Sequence, residues 1–173
     1  IMQIFHANWW INSNKEQPSA FTIITHEEVK NGVWLPVNGE LQASLEYLKN
    51  LELNGQKQLC IWPYHCLEGT QGAKLESEFT KMLYFHSAAR KTSPKLVYKG
   101  QDPLTEMYGI IKAEYDVKGQ INQEVLDEIE LYDQIYIAGE ASSHCVLAST
   151  EQIISYFGKD SKVNKRITIL EDC

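Results

Sequence analysis

Short, continuously apolar runs rich in β-branched and aromatic residues alternate along this chain with stretches of helical period, and that alternation leaves few folds open. The runs are IMQIF (1–5), QLCIW (58–62), KLVY (95–98), QIYIAG (134–139) and RITIL (166–170). Uninterrupted apolarity over so few residues marks strands covered on both faces, as in a parallel sheet flanked by helices. Between them, ELQASLEYLKNLELNG (40–55) puts Leu41, Leu45, Leu48 and Leu51 on one stripe, with Gly55 as a stop. Residues 73–90 place Leu75, Phe79, Met82, Leu83 and His86 on one face. DPLTEMYGIIKAEY (102–115) opens with Pro103, suited to a first helical turn, and INQEVLDEIELY has Asn122 as a cap ahead of Val125, Leu126 and Ile129. HCVLASTEQIISYFG aligns Val146, Thr150, Ile153, Ile154 and Phe157 and ends at Gly158. The order predicts an α/β fold with a mostly parallel sheet.

Residues 7–39 break the pattern. They are rich in Trp, Asn, Ser, Pro and Gly without a clear period, and read as a long ordered insertion or active-site cover. The 173 residues, 43% hydrophobic, suit one domain over 1–173. The net charge of -7, with no Lys/Arg cluster, argues against nucleic acid or an anionic membrane surface as partner. No run approaches the roughly 18 apolar residues of a membrane span, and no signal-peptide pattern is present. Cys60, Cys66, Cys145 and Cys173 form neither a disulfide framework nor paired zinc knuckles, so a reduced, cytoplasmic protein is expected.

In open parallel sheets, sites form beyond the carboxyl ends of strands. Three segments fall there. In IYIAGEASSHCVLAST (135–150), Cys145 stands on the first turn of a helix after a tight turn. A thiol there meets the positive end of the helix dipole and free backbone N–H groups, which favour thiolate and can hold an oxyanion. The arrangement is that of a nucleophile elbow with Cys for Ser; the competing reading is a small buried apolar residue. In VYKGQDPLTEMY (97–108), Lys99 follows a strand end, either to stabilise negative charge or as a solvated surface lysine. In CIWPYHCLEGTQGAKL (60–75), His65 follows Trp62-Pro63, either to bind a metal or substrate or to serve a structural role. A zinc cluster of Cys60, His65 and Cys66 is disfavoured, because Cys60 lies inside a strand and should face the core. His6, His26 and His86 fall in no motif.

Together the three segments resemble the isochorismatase-like cysteine hydrolases, most closely their nicotinamidase-like branch. WPYHCLEGTQGAKL is similar to that branch's W-P-x-H-C-x-x-G-T-x-G-A segment, YKGQDPLTEMYG to K-G-x-D-P-x-x-(D/E)-x-Y, and IAGEASSHCV to the G-x-A-x-x-x-C-V nucleophile turn. Outside 7–39 the resemblance covers nearly the whole chain. It implies a three-layer, Rossmann-type sandwich with a mostly parallel sheet, Cys145 as nucleophile and Lys99 as its triad lysine. It also implies an oxyanion hole from the backbone N–H groups of Ala141 and Cys145, and a cis peptide between Glu140 and Ala141. His65 matches the last ligand of an Asp-x-His…His site for a divalent metal, zinc foremost.

The implied reaction is two-step hydrolysis of a small-molecule amide, nicotinamide first, through a thioester. A cytoplasmic homo-oligomer is expected. The alternatives are another small amide, a ureido compound or an isochorismate-like substrate on the same thiol, or a catalytically silent binding relative. Two parts of the family pattern are not in this sequence. The triad aspartate belongs to an N-terminal strand of apolar-Asp-x-Gln type, and the Asp-x-His pair would stand just upstream of Ile1. The chain is therefore expected to be a fragment lacking its N-terminal strand, unable to fold well or catalyse alone. Ser142-Ser143-His144 replaces the branch's Thr-Asp-aromatic, and His144 is expected to face outward.

Overall fold

A computed structural model describes residues 2–54 and 57–171. In chain order the elements are β1 (Trp10–Ile11), β2 (Ile23–Ile24), α1 (His26–Lys30), β3 (Leu35–Pro36), α2 (Leu41–Asn54), β4 (Leu59–Cys60), α3 (Ser77–Arg90), α4 (Gln123–Glu130), β5 (Ile135–Ile137), α5 (Cys145–Phe157) and β6 (Ile167–Ile169). Among the described residues no helix is long and apolar enough to cross a membrane.

The expected single, mostly parallel sheet is corrected. Among the described residues three two-stranded pairings are present: β1 with β3 and β2 with β4 antiparallel, and β5 with β6 parallel. The last has Ile135 opposite Ile167 and Ile137 opposite Ile169, with α5 as the crossover that a parallel pair requires. A further parallel bridge joins His6 to Trp62, with the Trp62 N–H donating to the Phe5 carbonyl at 2.8 Å. Segment 58–62 thus runs between 4–6 and 21–24, since the Ile61 N–H also reaches the Thr22 carbonyl at 2.9 Å. Of the expected strands, the described part of 1–5 forms no ladder beyond the bridge to Trp62, the Ile4 N–H going instead to the Pro103 carbonyl at 2.8 Å, and 95–98 is not a strand: Leu96 and Tyr98 are exposed.

Two cores hold the chain. The larger gathers Ile4, Trp9, Trp10, Ile24, Val29, Tyr47, Leu48, Leu51, Leu59 and Ile61. Two indoles of the aperiodic 7–39 segment are buried with their N–H groups satisfied, Trp9 on the Ser44 hydroxyl at 3.2 Å and Trp10 on the Ile4 carbonyl at 2.7 Å. The smaller core joins Ile111, Leu126 and Ile153, with Ile137 and Ile167 of the parallel pair against it.

Helices α2, α4 and α5 match their sequence patterns. The Asn122 side chain accepts from the Val125 N–H at 3.3 Å, and α5 ends at Gly158, whose φ of 82° suits a residue without Cβ. The expected stop at Gly55 lies outside the described residues. α3 forms, but its expected apolar face stays uncovered: no residue of it is buried, and Phe79 and Met82 are exposed. Local bonds hold it instead, from the Glu76 carboxylate accepting the Glu78 and Phe79 N–H groups to the Lys91 cap.

The expected helix over 102–115 does not form, and the hydrogen bonds say why. In a helix the carbonyls of Met107 and Tyr108 would accept from the N–H groups of Ile111 and Lys112. Here both carbonyls accept from the Lys99 ammonium, and both N–H groups donate to the Gln152 carboxamide oxygen at 3.1 Å. Tertiary partners have replaced the helical ones. Gly109 lies against that carboxamide so closely that an added Cβ would overlap it. Gly109→Ala is therefore expected to displace Gln152 and to destabilise the fold by about 1–3 kcal/mol. Denaturant midpoints check this, and an unchanged midpoint would remove Gln152 from the account.

Candidate active site

The β5–α5 turn delivers Cys145 to the first position of α5, so its amide belongs to the opening turn whose N–H groups lack helical acceptors. The Glu140–Ala141 peptide is cis, as the resemblance implies. The Ala141 carbonyl turns inward to accept from the His144 and Val146 N–H groups at 3.0 and 3.2 Å.

Lys99, 46 positions earlier, reaches the same point. Its ammonium donates to the Met107 carbonyl at 2.7 Å, the Tyr108 carbonyl at 2.9 Å and Cys145 Sγ at 3.3 Å. Those contacts occupy all three N–H donors. The lysine and the thiol are both half-buried, and among the described residues Lys99 makes no ion pair with a carboxylate. The sulfur is therefore its one partner able to carry full negative charge, and an ammonium so fixed suits a thiolate.

His65 stands exposed on the segment after β4. Its Nδ1 lies 2.7 Å from the Pro63 carbonyl, which can only accept, so Nδ1 carries the proton and the Nε2 lone pair is free. Such a backbone tie is how ligating imidazoles are commonly oriented. Yet among the described residues no group of three His, Cys, Asp or Glu side chains could hold a metal ion. For the metal that the resemblance implies, His65 is one oriented candidate ligand, and the described residues do not complete a set. Cys60, expected in the core, is half-buried, and burial followed by the nearby Glu106 pushes its thiol up.

Several residues given no role by the sequence belong to this site. Trp62 lies edge-on to His144 with ring centroids 5.5 Å apart and faces His65 at 6.1 Å; Tyr108 lies 6.5 Å from His144. His144 is exposed, as expected, but its ring joins this aromatic wall. Behind it, the Tyr108 hydroxyl accepts from the Trp62 indole at 2.8 Å and donates to Glu106 Oε1 at 3.0 Å. Glu106 is buried, and desolvation raises its carboxyl to about 7. His6 is buried too; burial, then the proximity of His65, lowers it to about 4, which keeps it neutral at pH 7. Glu106 and Tyr108 match fixed positions of the quoted K-G-x-D-P-x-x-(D/E)-x-Y pattern, but their partners across the fold are visible only in the structure.

The sequence matches no protein-family model and no curated protein. In fold, the chain is similar to the yeast nicotinamidase Pnc1p, with a TM-score of 0.51 at 15% identity, covering 99% of this chain and 76% of that one. At that identity the likeness establishes the fold alone, a mixed α/β arrangement.

Proposed function

We propose that the protein is a cysteine hydrolase of small-molecule amides, with nicotinamide as the first substrate. One observation carries the reading: the Lys99 ammonium stands 3.3 Å from the sulfur of Cys145 at the start of α5. The flat rings of Trp62, Tyr108 and His144 nearby favour an aromatic amide over an aliphatic one.

The chemistry balances on these two side chains. The Cys145 thiolate attacks the amide carbonyl, forming a C–S bond, and the N–H groups of Ala141 and Cys145 donate to the oxyanion. Lys99 gives a proton to the departing nitrogen, the C–N bond breaks, and ammonia leaves a thioester and a neutral amine. Water then yields a proton to that amine as its oxygen attacks the thioester. The C–S bond breaks, the acid is released, and the thiolate–ammonium pair is restored.

Ammonia release from nicotinamide, benzamide, aliphatic primary amides and ureido compounds tests the reading on the full-length protein. Nicotinamide should be turned over fastest, and quenched reactions should show the acyl group on the Cys145 peptide. No ammonia above the blank, or an adduct on another residue, would overturn it.

A further inference from the structure

We propose that Glu106 is a positioning residue for the Lys99–Cys145 pair, acting through Tyr108 from behind the aromatic wall. The inference rests on the reading of that pair as reactive. It starts from a cost: a carboxyl group only 4% exposed is expensive to bury and needs donors around it. The donors are specific. Tyr108 donates to Oε1 at 3.0 Å and Tyr47 of α2 approaches Oε2 at 3.4 Å, while the Glu106 N–H donates to the Tyr47 hydroxyl at 3.0 Å. The strap is closed on its far side, where the Thr105 hydroxyl donates to the Tyr115 carbonyl at 2.6 Å and the Glu114 N–H to the Glu106 carbonyl at 2.9 Å.

Direction matters here. A hydroxyl has one proton, and Tyr108 already accepts from the Trp62 indole, so its proton goes to Glu106. The chain therefore runs one way, from Trp62 through Tyr108 to the carboxylate. Tyr108 serves the site twice, since its carbonyl also receives the Lys99 ammonium at 2.9 Å. Holding the Tyr108 side chain thus fixes the carbonyl that aims Lys99 at the sulfur, and fixes the indole facing His65 and His144. The charged and titratable groups around Glu106 are Tyr47, Tyr108, Cys60, and Glu114 with Lys57, which are paired at 2.6 Å. The Lys57 ammonium also lies 5.0 Å over the Tyr108 ring.

Protonation would break the chain. A neutral Glu106 carries its own O–H into a ring of donors, so one tyrosine loses its acceptor. Burial first, offset by the tyrosine hydrogen bonds, sets that change near neutral pH, with the ionised, chain-forming state above about 7.

Iodoacetamide alkylation of the Cys145 peptide, followed by mass mapping in the full-length protein, tests this without substrate. Glu106→Gln and Tyr108→Phe should each slow alkylation by roughly tenfold, and the double variant should be no slower than either. The parent rate should show an inflection near pH 7 that both variants lack. Rates within twofold of the parent in either folded variant, additive losses, or a surviving inflection would overturn the proposal. If Glu106→Gln does not fold, Tyr108→Phe alone decides. Absence of amide hydrolysis would sink the proposed function by itself and leave the alkylation series to judge Glu106.

Discussion

Replacing Cys145 by alanine is expected to abolish amide hydrolysis, with a loss in kcat on the order of 10⁵-fold or more, while the protein stays folded. The loss is large because the proposed reaction needs a thiol at this position, and alanine supplies none. Sγ meets the Lys99 ammonium at 3.3 Å, and the residue opens α5, where backbone N–H groups await an oxyanion. Fold loss should be small. Cys145 is half-buried, alanine keeps the helix start, and the intrahelical bond from the Ser149 hydroxyl goes to the Cys145 carbonyl, which survives. Stability should therefore change by about 1 kcal/mol or less. Steady-state assays alongside denaturant melts separate the two effects, and retained turnover in a folded Cys145→Ala protein would remove the thiol from the mechanism.

The second large effect is expected at Lys99. Lys99→Met matches the length of the side chain but removes three donors and the positive charge. It leaves the Met107 and Tyr108 carbonyls without their partner and the sulfur without its counter-ion. A fall of roughly 10²–10⁴ in kcat/KM follows, the range for losing a positioned proton carrier, with slower alkylation of Cys145 alongside. Lys99→Arg keeps charge, yet a planar guanidinium cannot aim three donors from one atom and does not release a proton at neutral pH, so it should rescue little. If the arginine variant matches the parent, charge alone suffices and the proton-carrier role of Lys99 is wrong.

Local chemistry was legible in the sequence wherever the outcome depended on neighbours along the chain. Asn122 caps α4, Gly158 stops α5, and the turn after β5 sets Cys145 on a first helical turn, because capping and turn geometry involve only a few adjacent residues. The three motif segments, with Lys99 and Cys145 in them, were readable for the same reason. Segment 102–115 shows the limit. Its pattern favours a helix, but the carbonyls of Met107 and Tyr108 and the N–H groups of Ile111 and Lys112 find Lys99 and Gln152, each from a distant part of the chain. Glu106 was visible as a letter in a motif; its burial between Tyr47 and Tyr108 was not. Trp9 and Trp10 looked aperiodic and lie in the larger core, Trp9 bonded to Ser44 of α2 and Trp10 to the Ile4 carbonyl. The ends of α4 and α5 and the place of Cys145 at a helix start follow from neighbours along the chain, since these are short-range hydrogen-bonding effects. Strand pairing, the groups buried behind the aromatic wall and the meeting of one ammonium with one sulfur come from the fold, because such contacts depend on which distant groups burial brings together.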